Sequence, residues 1–499
     1  MISNAQIEQI TQKLREELGE DQVFTKTFHR MAYSRDWSPR DAKEAYLPDI
    51  VVRPFSIDEA SKMVKIANEY KIPIVPYAGG TGMSGASVPI YGGISVDMKG
   101  LDEVKEVDEK NMTVTCGAGI TILRLNEVLE EAGLWFPHDP ESKPASTIGS
   151  AVACNNDGTF ANKYGRTPDF LLNAVVVTGT GQILRIGHRK ALVSSSGLKL
   201  LPLFIGSEGT LGLVCETTLR IYPLPKTRHV AGILFKSINE AMKALQRLLQ
   251  SGLSVESAHI NCGRRLNFYT HSFRLKHNRD PDIPEWADAV LFISFNGDEN
   301  VVDFSKDYAL KVTKELGGEQ LKEEAMVESW WNSKHTGSFI PFRQKWPDSQ
   351  RDKKFGAADL GLPVGRIEEG YKRYLEIAEK NGLDILGMCV YNEKASCISP
   401  SISFAVWVDD KDPESVQGWW DYVKEMSYMA VDLEGTMSTY WGDGQFRVGY
   451  NRYEHGDSLD VMMQIKKIFD PNNIMNPGKK FSVDEIDKIT VKIEKKSEE

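Results

Sequence analysis

The order of apolar and polar positions divides the chain into successive stretches of mixed helix and strand. The opening MISNAQIEQITQKLREEL has apolar residues at helical spacing, and residues 57–71 (IDEASKMVKIANEYK) repeat them every three or four positions, as an amphipathic helix does. IPIVPY then reads as a short strand running into a glycine loop. GGISVDM, MTVTCGAG, LLNAVVVTG and GQILRIG are β-rich runs punctuated by glycine or polar residues, and TILRLNEVLEEAG is a further amphipathic helix. Pro223 and Pro225 in IYPLPKTR end this α+β region. The pattern restarts with a strand (HVAGILF) and a helix (INEAMKALQRLLQSG), and later strands such as AVLFISF and SISFAVWV alternate with helices. A last helix, SLDVMMQIKKIF, leads into the turn-rich DPNNIMNPGKKF and a charged tail, KITVKIEKKSEE, read as a solvated end. The expected division is 1–225, 226–455 and 456–499, with no internal repeat or low-complexity tract.

At 499 residues the chain exceeds one ordinary core, so two or three domains sharing one site are expected. A formal net charge of −10 with no basic stripe argues against nucleic acid as a partner. No window approaches the apolar length that spans a bilayer, and the N-terminus lacks the apolar core of a secretory signal. The expected compartment is the cytoplasm, with membrane contact at most peripheral. Cys116, Cys154, Cys215, Cys262, Cys389 and Cys397 form no Cys-x-x-Cys pair, which disfavours structural zinc, an iron–sulfur cluster or a disulfide scaffold and leaves small buried hydrophobes.

Three glycine-rich clusters carry the chemistry. Residues 77–87, YAGGTGMSGAS, formally match a dinucleotide fingerprint through Gly80, Gly82 and Gly85. That fingerprint must open a helix, and Pro89, Gly92 and Gly93 break any helix here, so the segment is a loop. Its glycines let backbone N–H groups surround a diphosphate, while a flexible surface loop is the competing reading. The second cluster, His138 to Gly158, holds Ser146, Thr147, Gly149, Ser150 and Ala151, small enough for close approach of a flat ligand. The third, FIGSEGTLGLV, is a glycine turn (Gly206, Ser207, Glu208, Gly209, Thr210, Gly212) entering a strand.

In order and wording these clusters resemble the FAD-binding domain of the vanillyl-alcohol oxidase and p-cresol methylhydroxylase (PCMH) flavoprotein superfamily. KYGRTPDFL, SSSGLKLLPLFIGSEGTLG, ADLGLPVGRI and DPNNIMNPGKKF bring the likeness nearest to the glycolate oxidase and D-lactate dehydrogenase branch. The resemblance implies an α+β fold: a two-subdomain PCMH-type FAD-binding domain, an α+β substrate or cap domain, and a short C-terminal segment returning to the first domain. It implies FAD, held without a covalent bond although His138 lies in the flavin segment. For the diphosphate loop it implies Pro76, Ala78, Gly79, Gly80, Thr81, Gly82, Met83 and Ser84. For the flavin segment it implies Pro137, His138, Asp139, Ser142, Thr147, Ile148, Gly149, Ser150, Ala153, Cys154 and Asn155. Glu208, Gly209, Gly212, Leu213, Val214 and Asn476 complete the cofactor set.

The chain departs from the branch where a divalent metal is usually held. GMCVYNEKASCISPSISFAVWV contains no histidine, and in the segment Gly435 to Gly444 Tyr440 and Trp441 stand in place of ligands. Glu454-His455-Gly456 is out of register, so no metal site is expected. Trp331-Asn-Ser-Lys334 matches a stretch that carries a carboxylate-binding arginine, and lysine keeps the charge but loses the fork. The expected catalytic set is Tyr440, Arg447, Tyr391 and Lys334, with Trp441 as an aromatic wall and Tyr450, Arg343, His335 and His455 as further candidates. Lone tyrosines and histidines are as readily core residues, and an arginine as readily a surface ion pair.

The function so implied is oxidation of a small hydroxy acid or related alcohol by hydride transfer to flavin N5. An aromatic-alcohol or alkylphenol oxidase is the alternative, and an alkylglycerone-phosphate-synthase-like transferase ranks third. Electrons would pass to an electron-transfer protein, a quinone or oxygen, from a homodimer or a subunit of a larger redox complex.

Overall fold

Ser56 accepts a hydrogen bond from the Glu59 N–H while the Glu59 carboxylate reaches back to the Ser56 N–H, and this reciprocal cap starts the helix Ile57–Tyr70. Its apolar face packs beside the helix Asn4–Leu18 over the strands Ile50–Val52, Ile94–Asp97 and Ile74–Tyr77. These three strands are mutually parallel, with Ile94–Asp97 in the middle, and Val23–Phe24 adds an antiparallel edge. A parallel pair needs a crossover. Between Ile74–Tyr77 and Ile94–Asp97 that crossover is the glycine loop itself, which is thereby held at the carboxyl ends of the strands, where open α/β sheets bind ligands.

We describe residues 2–41, 43–334, 343–345, 352–393 and 399–489 of a computed structural model. His335 and Cys397, the side chain of Arg343 and the tail from residue 490 lie outside the described residues. Among the described residues a second, antiparallel sheet runs Val104–Asp108, Thr113–Gly117, Gly212–Arg220, Leu171–Thr178, Ile183–Gly187. Leu171–Thr178 is buried along its whole length, as its unbroken apolar run requires.

The third sheet, eight antiparallel strands among the described residues, begins at Thr227–Phe235 just after the two prolines and ends at Ser401–Val408. Period-two alternation gives it two different faces. Ala258, Ile260, Met388, Val390, Ile402 and Phe404 turn into a core with the helices Ile238–Gln250, Ile367–Lys380 and Pro413–Asp432. Their alternates, His259, Tyr391, Ser403 and Phe355 among them, face a cavity shared with the first domain.

The chain end returns to the first sheet. Ile74 N donates to Ile474 O and Asn476 N to Ile74 O, both at 2.7 Å. Lys466 on the helix Ser458–Phe469 is buried and donates to Thr210 O, Met475 O and Asp470. Among the described residues no helix is long and apolar enough to cross a membrane. The architecture is therefore mixed α+β, a first domain on two main sheets followed by a second domain on the eight-stranded one, as the sequence implies.

Candidate active site

The cavity, about 430 Å³, lies between the glycine loops and the open face of the eight-stranded sheet. On one side it is lined by residues 76–83, by Asp139 and Ser142, by Thr147, Gly149, Ser150, Ala153 and Cys154, and by Glu208, Gly209, Gly212, Leu213 and Val214. All but Tyr77 were named from sequence as cofactor residues. The small residues fall on one face of the short helix Ile148–Cys154, which Thr147 caps through the Ser150 N–H.

Two observations fit this side to FAD. Among the described residues, none of the six backbone N–H groups from Gly79 to Ser84 donates a hydrogen bond within the protein. Donors so concentrated need an acceptor, and a diphosphate is one. Second, the loops leave no room for side chains: a Cβ on Gly79 would overlap the Ala145 carbonyl, and one on Gly209 the Pro76 ring. The Gly79–Met83 main chain would hold the diphosphate, and the face Gly149 to Cys154 the flat ring system.

Six expected cofactor residues stand behind the wall. Ser84 donates to Trp441 O at 2.9 Å, and Asn476 donates to Ala86 O and Glu208 O, so both brace loops that line the cavity. Ile148 is core, Pro137 is buried, and Asn155 is the left-handed cap of the short helix. The His138 ring shares a 2.8 Å hydrogen bond with the Asn156 amide oxygen and packs near Phe136 and Phe170. Burial pushes its pKa down to about 4.

The opposite wall is made of side chains. Phe292, Trp330, His259, Tyr391, Tyr440, Trp441 and Phe355 form a continuous ring-to-ring series, with successive centroids 4.5, 5.4, 4.8, 6.0, 5.3 and 6.4 Å apart. All but Phe292 line the cavity. Burial, then the neighbouring Asp359 and Asp157, hold the Tyr440 pKa well above the phenol range, and burial does the same to Tyr391. Both phenols therefore stay protonated at neutral pH.

Lys334 reaches the cavity, 3.6 Å from Asp139 and 4.1 Å above the Trp331 ring, and burial lowers its pKa against the pull of Asp139. Arg447 does not reach it. Its guanidinium is buried and donates to Asp359 Oδ1 (2.7 Å) and Gly442 O (2.6 Å). Asp359 Oδ2 in turn accepts from Ser438 Oγ and from the N–H groups of Thr439, Tyr440 and Trp441. This buried carboxylate sets the turn that presents Tyr440 and Trp441. Glu208 fixes the next residues, accepting from the Asp443 and Gly444 N–H groups. Tyr450 packs on Tyr428, and neither it nor His455 lines the cavity.

Sequence reasoning missed His259, Arg265, Asp157, Cys389 and Ser403, all of which line the cavity. Burial pushes the His259 pKa down to about 4, leaving a neutral imidazole. Arg265, early in the helix Arg264–His277, has its guanidinium carbon 5.9 Å from the Phe355 centroid. The signal for His259, Cys389 and Ser403 was their alternation with core residues along their strands. Nothing local marks Arg265. Arg166, in the quoted KYGRTPDFL stretch, knits both domains by donating to Asn155 O, Thr439 O and Glu393. Among the described residues no group of three His, Cys, Asp or Glu side chains is placed to hold a metal ion.

Known proteins resemble this chain along nearly its whole length. A probable mitochondrial D-lactate dehydrogenase of Danio rerio is 27% identical, covering 95% of this chain and 92% of its own. The glycolate oxidase subunit GlcD of Bacillus subtilis is 28% identical over 95% of this chain and 98% of its own. The crystal structure of p-cresol methylhydroxylase superposes with a TM-score of 0.80 at 17% identity, covering 97% of this chain and 98% of that one, and so shares the fold. Residues 48–187 match the FAD binding domain family, and residues 224–480, more than half of the chain, match the C-terminal domain of FAD linked oxidases. A main-chain cradle for FAD continuous with a side-chain wall, on a chain matched in both halves, makes this protein a member of the FAD-linked oxidases, an oxidoreductase that uses FAD.

Proposed function

We propose that the protein oxidises a 2-hydroxy acid to the 2-keto acid. The observation that carries this reading is that two cations, Arg265 and Lys334, and the neutral imidazole of His259 line one cavity, continuous with the cofactor cradle. A carboxylate is met by the arginine fork and the lysine ammonium. His259 takes the hydroxyl proton, and its lowered pKa keeps it available as a base down to weakly acidic pH. Tyr391 and Tyr440, held as phenols, donate hydrogen bonds to the substrate oxygens. Arg447, Asp359 and Glu208 position the segment that carries Tyr440 and Trp441. FAD, when bound, supplies the two-electron oxidant that accepts hydride from the substrate carbon.

The proposed chemistry uses no metal, because the two cations and two phenols already meet the negative charge on the substrate. His138 stands behind the wall, which supports dissociable FAD. The division at 225 and 455, a cytoplasmic location, and an electron-transfer protein, quinone or oxygen as acceptor belong to the same proposal. The aromatic wall favours one second reading, an aromatic-alcohol or alkylphenol oxidase with the two tyrosines around a phenol.

Anaerobic bleaching of the bound flavin separates them. D-lactate, glycolate or 2-hydroxyglutarate should bleach it equally with and without chelator. Bleaching by 4-hydroxybenzyl alcohols alone would overturn the hydroxy-acid reading, and loss of bleaching in chelator would overturn the metal-free step.

A further inference from the structure

The substrate side of the cavity is unusual in what lines it. Among the described residues, twelve of the second half of the chain line it, from His259 to Trp441, and five of them (Trp330, Phe355, Tyr391, Tyr440, Trp441) are Phe, Trp or Tyr, against 9% of the chain. Leu386 is the one aliphatic side chain among the twelve. Trp330 stacks on Phe292 in a small core behind the wall, while the rings beside it meet edge to face. Tyr391–Tyr440, Tyr440–Trp441 and Trp441–Phe355 meet at 80°, 77° and 84°, a herringbone that offers ring edges and faces in alternation. Such a surface is complementary to another ring, whose edge and face carry opposite partial charge. A glycolate or lactate would engage the cations and leave this wall in contact with water, forfeiting its apolar area.

Resting on the hydroxy-acid reading above, we infer that the substrate is a 2-hydroxy acid bearing an aromatic ring, with its carboxylate toward Arg265 and Lys334 and its ring against Tyr440, Trp441 and Phe355. The reaction balances as one C2–H bond broken with both electrons passing to the bound flavin, one hydroxyl proton passing to His259, and one C2=O bond formed. One aryl 2-hydroxy acid gives one aryl 2-keto acid and two-electron-reduced flavin, which a quinone, an electron-transfer protein or dioxygen reoxidises.

The test uses the flavin-loaded full chain and compares kcat/KM for anaerobic flavin reduction by D-3-phenyllactate and D-mandelate with that for D-lactate, D-2-hydroxybutyrate and 2-hydroxyglutarate. The aryl acids should win by about 100-fold, the gain expected from burying one ring against such a wall. Phe355→Ala should cut the aryl value at least about 10-fold and cut it more than the aliphatic value, so that the aryl preference narrows. Binding is read separately: phenylpyruvate should quench tryptophan fluorescence at a concentration at least about tenfold below pyruvate, because Trp330 and Trp441 line the site. Equal or better use of the aliphatic acids would overturn this inference and leave the hydroxy-acid reading standing. Reduction by 4-hydroxybenzyl alcohol but by no hydroxy acid, or by none of these compounds, would overturn both.

Discussion

On the side of residues 76–83 the cavity is made of main chain, and on the side of the eight-stranded sheet it is made of single side chains from distant strands. The first wall works by omission: Gly79, Gly80 and Gly209 stand where a Cβ would clash, and the N–H groups from Gly79 to Ser84 are left without a partner among the described residues. The second works by placement: His259, Arg265, Phe355, Tyr391 and Tyr440 come from five segments spread over nearly two hundred residues. The difference teaches where tolerance lies. A wall of backbone fails when anything is added, whereas a wall of side chains fails one function at a time.

The largest effect should therefore come from the backbone side. Gly79→Val drives a side chain into the Ala145 carbonyl and displaces the loop, and the purified variant should lack flavin, read as the 450 to 280 nm absorbance ratio. Next is His259→Gln, which removes the base without touching the loops; kcat should fall roughly 100- to 10,000-fold with full flavin content. Retention of activity would break the assignment of the side-chain wall to chemistry.

Acid sharpens the comparison, since each wall hides one neutral histidine. His138 and His259 both have pKa values pushed down to about 4 by burial, below the ordinary value of about 6.5. Their folded-state values are depressed, so the stabilisation is complete above pH 6.5 and is lost as the pH falls to 4, by about 3 kcal/mol for each. Urea midpoints across this window should drop steeply, and less steeply in His259→Gln. A flat profile would contradict the burial argument. The smallest effect is expected from Lys334→Met, which loses one of two cations: KM for the hydroxy acid should rise about 10-fold with kcat changed little.

This contrast also explains what could be read from the chain. The cradle was legible because its signal is local: adjacent glycines, Pro89 ending any helix, and a resemblance carried by contiguous words such as GSEGTLG. Tyr391, Tyr440 and Lys334 were found by where they stand in that resemblance. Arg447 was named on the same ground, and register along the chain does not reveal that Asp359, eighty-eight residues away, takes its charge. His259 and Ser403 were written only as alternation within strands, which marks a face as not core but does not say what it meets. Arg265 becomes visible only when its helix packs beside the strand Asp384–Tyr391.

The central claim is that the two walls divide binding of flavin from binding of substrate. The most direct test is the double variant Arg265→Gln/Lys334→Met, measured for flavin content and for anaerobic reducibility. The account requires wild-type flavin content and normal photoreduction, with no bleaching by any 2-hydroxy acid at concentrations that saturate the parent. A variant that loses its flavin, or that a hydroxy acid bleaches at the parental rate, would contradict it.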